Sequence, residues 1–486
     1  MTDRVDDEEE LLFMSKLDFG DFPSSFRGSA FRPDDPGYAE ARTIWNCRTM
    51  DAGPAFIAQC ADTDDVVTAV RYASDRDLPL ALRSGGHSTD GAGMPDGAFV
   101  VDLSHLKAIE VDPASGLVRV QPGVTLGVLD AATQKHGLVV PSGTVTTTGV
   151  GGLALGGGLG FNSRRFGMTV DNTVAYDMVT VDGRRVRADL DKNPDLFWGL
   201  RGAGHNLGVV TSFEFQAHQV GPNVHSGLIL YPLDQAEEIL TALDAHMAGA
   251  SRALTVDPVL LPAPPMPGLP ESLIGVPILI LVVVFTGDPA TADEAVEVVA
   301  TLGTPMVNTV GPSTWLQTNS ILDVIAPPGR RNYSKGGYIA ALTPPVAAAF
   351  IEQMGRAPAP DGPGVSAAIA FQAVSGAVHD FDEDSVAFSR TGAMWLWEAV
   401  VQWDDPARDD EFLAFTAKAL ASVKPHVLSN SYVNLTAHQG EEWLRGLYGS
   451  PRKFRRLQAL KAEWDPRNLL RFNKNIEPAS GTGASV

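Results

Sequence analysis

The hexapeptide RSGGHS, Arg83 to Ser88, sets an imidazole among two glycines and two hydroxyls, directly after the apolar run LPLAL. The run reads as a strand, and a glycine pair at its end lets the backbone approach a ligand closely because no Cβ intervenes. A lone histidine in a loop is by itself a polar turn residue; here its company changes the reading. PSGTVTTTGVGGLALGGGLG, Pro141 to Gly160, offers a run of bare amides and hydroxyls suited to an anion or a flat ring system. RGAGHNLGVVTSFEF, Arg201 to Phe215, ends in a strand-like alternation, and NLLRFNKNI, Asn468 to Ile476, stands at the far end. A phosphorylated ligand cradled by backbone amides is the chemistry these blocks suit.

A competing pattern fails on context. GVGGLA, Gly149 to Ala154, has the glycine spacing of a nicotinamide dinucleotide site, with Asp171 or Asp177 near the ribose-binding distance. TVTTT precedes it where a hydrophobic strand belongs, and Gly156, Gly157 and Gly158 would weaken the helix that must follow. Cys47 and Cys60 are the only cysteines, with no CxxC and no histidine cluster at ligand spacing, which reads as free thiols and no metal site.

These blocks need a scaffold to bring them together. At 486 residues and 44% hydrophobic, the chain has material for two domains and a large core. A formal charge of -21 with no basic cluster argues against nucleic acid. MTDRVDDEEELLFMSK is acidic with a short apolar patch, unlike a secretory or transit peptide, so a cytoplasmic protein is expected and residues 1 to 40 read as a partly mobile lead-in. LIGVPILILVVVF, Leu273 to Phe285, is a buried strand rather than a membrane span, which needs about 20 residues. DTDDVVTAVRYASDRDLPLALRS reads as a helix capped at Thr63 or a neighbour, then a strand; DPASGLVRVQPG as strand, turn, strand; TLGVLDAATQKHG as a helix ending at Gly137. Between Gly221 and about Pro270 prolines accumulate, and PVLLPAPPMPGLP reads as a loop. AEEILTALDAHM and ATADEAVEVVATLG read as helices among Val- and Ile-rich strands, the makings of a sheet covered on one side.

In this order RSGGHS, the 141–160 block, DLFWGLRGAGHNLGVVTSFEF and the C-terminal YVN, LKAEWDP and FNKNI segments closely resemble the berberine bridge enzyme-like flavoproteins. These belong to the vanillyl-alcohol oxidase and p-cresol methylhydroxylase (PCMH) superfamily, and the resemblance runs from about residue 40 to the end. It implies an α+β, two-domain FAD-binding PCMH-type fold. Residues 1–220 would form the FAD-binding domain, 221–430 a central antiparallel-sheet substrate-binding domain, and 431–486 a segment completing the first. It further implies FAD lodged against Arg83, Ser84, Gly85, Gly86, His87, Ser88 and Gly91, against Gly143, Thr144, Thr147, Thr148, Gly149, Gly151 and Gly152, and against Val209, Asn473 and Asn475. A diphosphate suits the clustered amides and a pyrimidine edge suits the asparagines. His87 is the implied covalent attachment residue; Val145 stands where bicovalent relatives have cysteine, so a single bond is expected.

The base is less marked. Relatives commonly close the C-terminal motif with a catalytic tyrosine, and here Leu435 takes its place. The remaining candidates are Tyr432, Tyr333, Lys335, Tyr338 and Gln372, with Tyr432 reading equally well as a packed residue. Thr148 falls where the resemblance places a residue, commonly Val, that governs oxygen access. The expected activity is an FAD-dependent oxidase taking a hydride from a secondary-metabolite alcohol, phenol or amine to flavin N5, with O2 as acceptor and an oxygenated flavin as a further route. A flavin dehydrogenase with another acceptor and a drug-sequestering flavoprotein are the other readings. The expected partners are a small-molecule substrate and O2, with neither nucleic acid nor membrane.

Overall fold

Apolar residues at Val66, Ala69, Val70 and Ala73 repeat at helical spacing, and the chain forms a helix over Thr63–Asp75. Its cap is Asp62, whose carboxylate accepts from the Asp64 and Asp65 amides. The computed structural model describes residues 19–50, 53–265, 269–361, 365–434 and 439–479, so the first acidic residues and Leu435 lie outside the described residues.

Three sheets carry the molecule. The first has four strands in the order Ser29–Phe31, Phe56–Gln59, Phe99–Asp102, Leu80–Arg83, the last three parallel. The second is antiparallel, in the order Ile109–Asp112, Leu117–Val120, Val209–Gln216, Thr173–Val179, Arg185–Ala188. The third is the large antiparallel sheet of the central region. Its order is Val307–Asn308, Asn223–Pro232, Pro277–Phe285, Leu254–Pro262, Ala367–Ala373, Trp395–Trp403, Arg331–Ile339, with Gly311–Thr314 also paired to Asn223–Pro232. Helices Ala236–Met247, Pro344–Met354 and Asp409–Val423 pack on one face of it, sharing a core with Trp395, Trp397 and Trp403. Mixed α and β layers with a large central antiparallel sheet are the two-domain α+β arrangement that the sequence resemblance implied.

Strand Pro277–Phe285 explains its unbroken apolar run. Leu279, Leu281 and Val283 face the helices, while Ile278, Ile280 and Val282 enter a second cluster on the opposite face. A strand buried on both sides needs no alternation. Among the described residues no helix is long and apolar enough to cross a membrane.

Two expectations fail. The lead-in is packed from Phe19 onward: Phe19 stacks on Phe56 with centroids 4.7 Å apart, Phe22 meets Tyr72 edge-on at 5.0 Å, and Ser29–Phe31 joins the first sheet. The phenylalanines outweigh the acidic composition. PVLLP is likewise strand, within Leu254–Pro262. Pro258 has no N–H to give, and the pairing to Ala367–Ala373 is confined to Val259 and Leu260. Where that ladder stops, the Asp257 carboxylate takes the Ala373 amide at 3.0 Å.

Candidate active site

A cavity of about 340 Å³ lies where the glycine blocks, the C-terminal block and the central sheet converge. Its first wall begins at the sheet-edge strand Leu80–Arg83, which projects RSGGHS off its end. Arg83 is a strut, its guanidinium 2.8 Å from the fully buried Asp102, and the Ser84 hydroxyl donates to the Pro122 carbonyl. Gly85 lies against Gly149: a Cβ on Gly85 would stand 2.3 Å from Gly149 N, and one on Gly149 would stand 2.4 Å from Gly85 N. Two glycine blocks therefore press backbone to backbone, and His87 emerges beyond the contact. Its ring stacks on Trp45, centroids 5.0 Å apart and 17° from parallel, and its Nε2 lies 2.9 Å from Thr147 Oγ1. Burial pushes the imidazole pKa down to about 4, opposed by the nearby Asp323 carboxylate, so the ring is neutral at pH 7.

The second wall is set by a buried ion pair. Lys461 and Asp465 close helix Pro451–Trp464 at 2.7 Å with no side-chain exposure. Asp465 accepts the Leu469 and Leu470 amides, both at 2.9 Å, and Lys461 donates to the carbonyls of Asn206 and Leu470, both at 3.0 Å. The chain beyond is thereby steered so that Phe472, Asn473 and Lys474 line the cavity. Asn473 Nδ2 donates to the His205 carbonyl at 3.0 Å, and Lys474 pairs with Asp90 just after RSGGHS.

The third wall is the open face of the central sheet. Ser334, Gln372, Glu398 and Val400 share it, because Ser334 pairs with Val400 and Glu398 stands two residues away on the same strand. Glu398 is 9% exposed, and burial pushes its carboxyl up to about 8, its bond with the Ser334 side chain pulling the other way. Gln372 Nε2 lies 3.5 Å from Thr144 Oγ1, across the cavity on the glycine wall.

The sequence candidates sort cleanly. Arg83 to Ser88, Gly143, Thr144, Thr148, Gly149, Gly151, Gly152, Asn473, Gln372 and Tyr432 line the cavity. Thr147 reaches it through His87. Five do not line it, Tyr338 among them. Gly91 shapes the turn at φ 72°, where a Cβ would stand 2.4 Å from Thr49 Oγ1. Val209 points into the core with Val179 and Leu469, and its neighbour Val210 is the wall residue. Asn475 lies past the wall with a buried Oδ1. Lys335 pairs with Ala399, which belongs to the helix-facing core, so strand parity turns it away.

Two tyrosines are unsuited to act as base. Tyr338 is fully buried outside the cavity, its hydroxyl without a partner among the described residues, and burial drives its pKa upward. Tyr432 is at the wall, but its oxygen accepts from Gly158 N at 2.8 Å and Asn434 Nδ2 at 3.0 Å, and burial raises its pKa to about 12. Tyr333 also lines the cavity, with the Arg48 guanidinium 5.1 Å from its ring centroid. Sequence reasoning passed over Glu398, His205, Ser334 and Trp45. Glu398 left a signal: one acid inside the apolar strand Trp395–Trp403.

The walls suit FAD on their own evidence. Backbone from RSGGHS and the 143–152 turn lines one side without Cβ atoms at Gly85, Gly149 and Gly151. His205 Nε2, Asn473 Oδ1 and Gln372 Oε1, all on cavity-lining residues, lack a hydrogen-bond partner among the described residues. Buried polar atoms of this kind are costly unless a ligand meets them. Among the described residues no cluster of His, Cys, Asp or Glu could hold a metal ion.

Comparison with known proteins agrees with this geometry. The FAD binding domain family matches residues 54–189, and the family described as berberine and berberine like matches 431–477. An FAD-linked oxidoreductase of Dictyostelium discoideum is 28% identical over 94% of this chain and 96% of its own. The (R)-6-hydroxynicotine oxidase of Paenarthrobacter nicotinovorans is 37% identical over 46% of this chain and 48% of its own. The crystal structure of 6-hydroxy-D-nicotine oxidase from Arthrobacter nicotinovorans superposes with a TM-score of 0.82 at 26% identity, covering 94% of this chain and 99% of that one. Two family models meet at one cavity and the near-full-length relatives are FAD-linked oxidoreductases and oxidases, so the chain is an FAD-linked oxidoreductase that resembles the berberine bridge enzyme-like flavoproteins.

Proposed function

We propose that the protein is an oxidase carrying FAD on a single covalent bond from His87, and that Glu398 takes the proton its substrate gives up. The observation that carries this is Glu398 itself, a buried carboxyl without a cationic partner among the described residues, facing the cavity that His87 also lines. Residues 1–220 and 431–486 would hold the cofactor and 221–430 the substrate, a division supported by Leu80 N donating to Leu469 O at 2.8 Å and by the Lys474–Asp90 pair.

Bound there, FAD supplies a two-electron acceptor that takes a hydride and passes the electrons to O2. The rest falls to this chain. As a substrate bearing a C–H bond next to an O–H or N–H group is oxidised to a carbonyl or imine, Glu398 would accept the O–H or N–H proton. A carboxyl with pKa near 8 is better matched to a phenol, alcohol or ammonium proton than an ordinary carboxylate is. Gln372, poised between Thr144 and the sheet, would orient the substrate, and Tyr432 would stay protonated, able to offer a hydrogen bond but not to take up a proton. Thr148 lines the cavity beside Val145, a place from which it would influence the approach of O2. The names of two similar proteins, a 6-hydroxynicotine oxidase and a xylooligosaccharide oxidase, support a small organic substrate, and the class proposed is a secondary metabolite bearing an alcohol, phenol or amine.

Oxygen uptake by the purified holoenzyme, screened over phenols, alcohols and cyclic amines, tests the reading. A hit whose rate falls with Glu398→Gln while the protein stays yellow supports it. A hit turned over equally by Glu398→Gln would assign the proton to another group.

A further inference from the structure

The surroundings of His87 are more elaborate than a lone attachment residue requires. Trp45, upstream of the residues matched by the FAD binding domain family, stacks on the ring. Trp45 is itself clamped: its N–H donates to Gly86 O at 3.1 Å, its carbonyl accepts from Gly329 N at 3.0 Å, and Nε1 donates to Ala326 O at 3.0 Å. On the ring's edge, Thr147 Oγ1 engages Nε2, and the other ring nitrogen, Nδ1, has no hydrogen-bond partner among the described residues. The turn that carries Thr147 is pinned from the central region: Asp323 accepts the Thr146 amide at 2.8 Å and the Thr146 hydroxyl at 2.5 Å.

We infer that Trp45, Thr147 and Asp323 form a positioning device that presents His87 Nδ1 as the nucleophile for flavin attachment. The inference rests on the His87 linkage proposed above. The Thr147 contact serves this role in the tautomer in which Nε2–H donates to Thr147 Oγ1, the one that leaves the Nδ1 lone pair free. Trp45 fixes the ring plane, and Asp323 holds the Thr146–Thr147 turn in place while laying a negative charge near the imidazole. Attachment forms an Nδ1–C bond at the flavin 8α-methyl carbon and breaks one of its C–H bonds. That proton leaves to solvent, as does the Nε2 proton once Nδ1 is alkylated, the C–H electron pair reduces the ring system, and O2 reoxidises it, taking two electrons and two protons to hydrogen peroxide. The imidazole is transiently cationic as the bond forms, and Asp323 favours that charge.

The device spans both parts of the chain, so attachment would report that the central region has docked. Residues Asp323 and Ala326 come from the 221–430 segment, whereas His87, Thr147 and Trp45 do not.

Intact-mass measurement of the purified holoprotein tests this, alongside total flavin content after mild unfolding. Thr147→Val and Asp323→Asn should each lower the covalently linked fraction by tenfold or more while total FAD per chain stays near the parent's, and Thr147→Ser should restore linkage. Trp45→Leu should lower the linked fraction and Trp45→Phe should retain it. A Thr147→Val or Asp323→Asn protein as fully linked as the parent would overturn the inference and leave the His87 linkage standing. A parent at bare polypeptide mass would overturn that linkage, and the inference with it.

Discussion

The glycine wall and the sheet wall of the cavity hold their residues by different means. On the glycine wall the contacts are backbone on backbone: Gly85 against Gly149, and the Ser142 carbonyl 2.0 Å from where a Gly160 Cβ would stand. No side chain can yield there, so the wall tolerates one arrangement. On the sheet wall a regular antiparallel ladder sets the strands, and the cavity face is whatever alternate positions carry: Ser334, Gln372, Glu398, Val400. Those side chains can change without disturbing the ladder. On the function proposed above, the first wall would hold the cofactor and the second is where substrate preference would vary.

The sharpest break in that contrast is Gly85→Ala. Its Cβ would lie 2.3 Å from Gly149 N and 2.6 Å from Gly149 Cα, both backbone atoms. Overpacking costs about 1–3 kcal/mol where neighbours can shift, and here they cannot, so the purified protein should lose its flavin absorbance. Gln372→Ala on the sheet wall should keep the flavin-to-protein ratio of the parent. Equal flavin content in both variants would erase the distinction.

Glu398→Gln should lower substrate turnover by roughly 10²–10⁴-fold with flavin content intact. The pH dependence follows from its raised pKa of about 8. Below that value the carboxyl holds its proton and cannot take another, so turnover should climb with pH and level off above about 8, and the variant should lack this limb. The stability dependence runs the other way. The folded protein keeps a proton that the unfolded chain releases in the ordinary carboxyl range, so this contribution is full at acid pH and lost as pH rises to about 8. Urea melts at pH 6 and pH 9 should show a smaller loss for Glu398→Gln than for the parent.

Asp465→Ala probes what supports the C-terminal wall. It leaves the Lys461 ammonium buried without its carboxylate and frees the Leu469 and Leu470 amides, a cost of about 3–5 kcal/mol for one member of a buried pair. Urea denaturation measures it, and a loss under 1 kcal/mol would mean the pair is not what holds Asn473 at the wall.

The smallest effect is expected at Thr148. Thr148→Val should leave anaerobic flavin reduction near the parent's and alter reoxidation by O2. Thr148→Leu should slow reoxidation by bulk, at a folding cost of about 1–3 kcal/mol. Identical reoxidation traces for all three proteins would place the oxygen route elsewhere.

The two walls also differed in how far the sequence disclosed them. Glycines at Gly85, Gly149 and Gly151 are legible because close approach demands that residue type wherever it occurs, and the four blocks named their own cavity. The sheet wall depends on parity and register, which no local pattern carries: Lys335 and Ser334 are adjacent in NYSKGGY, yet only Ser334 faces the cavity. Glu398 was hidden by its strand, where Trp395, Trp397 and Trp403 announce a core and the acid between them reads as an exception. Val209 missed by the same single residue. The packed segment from Phe19 was obscured by the acid-rich residues before it, though its phenylalanines at 19, 22 and 26 were in plain view.

Intact mass under denaturing conditions tests the His87 linkage without needing a substrate. The parent chain should appear at the polypeptide mass plus one FAD, with the added mass on the peptide containing His87, and His87→Ala at the bare polypeptide mass with its flavin released on denaturation. A parent chain without added mass, or one whose added mass survives His87→Ala, would contradict it.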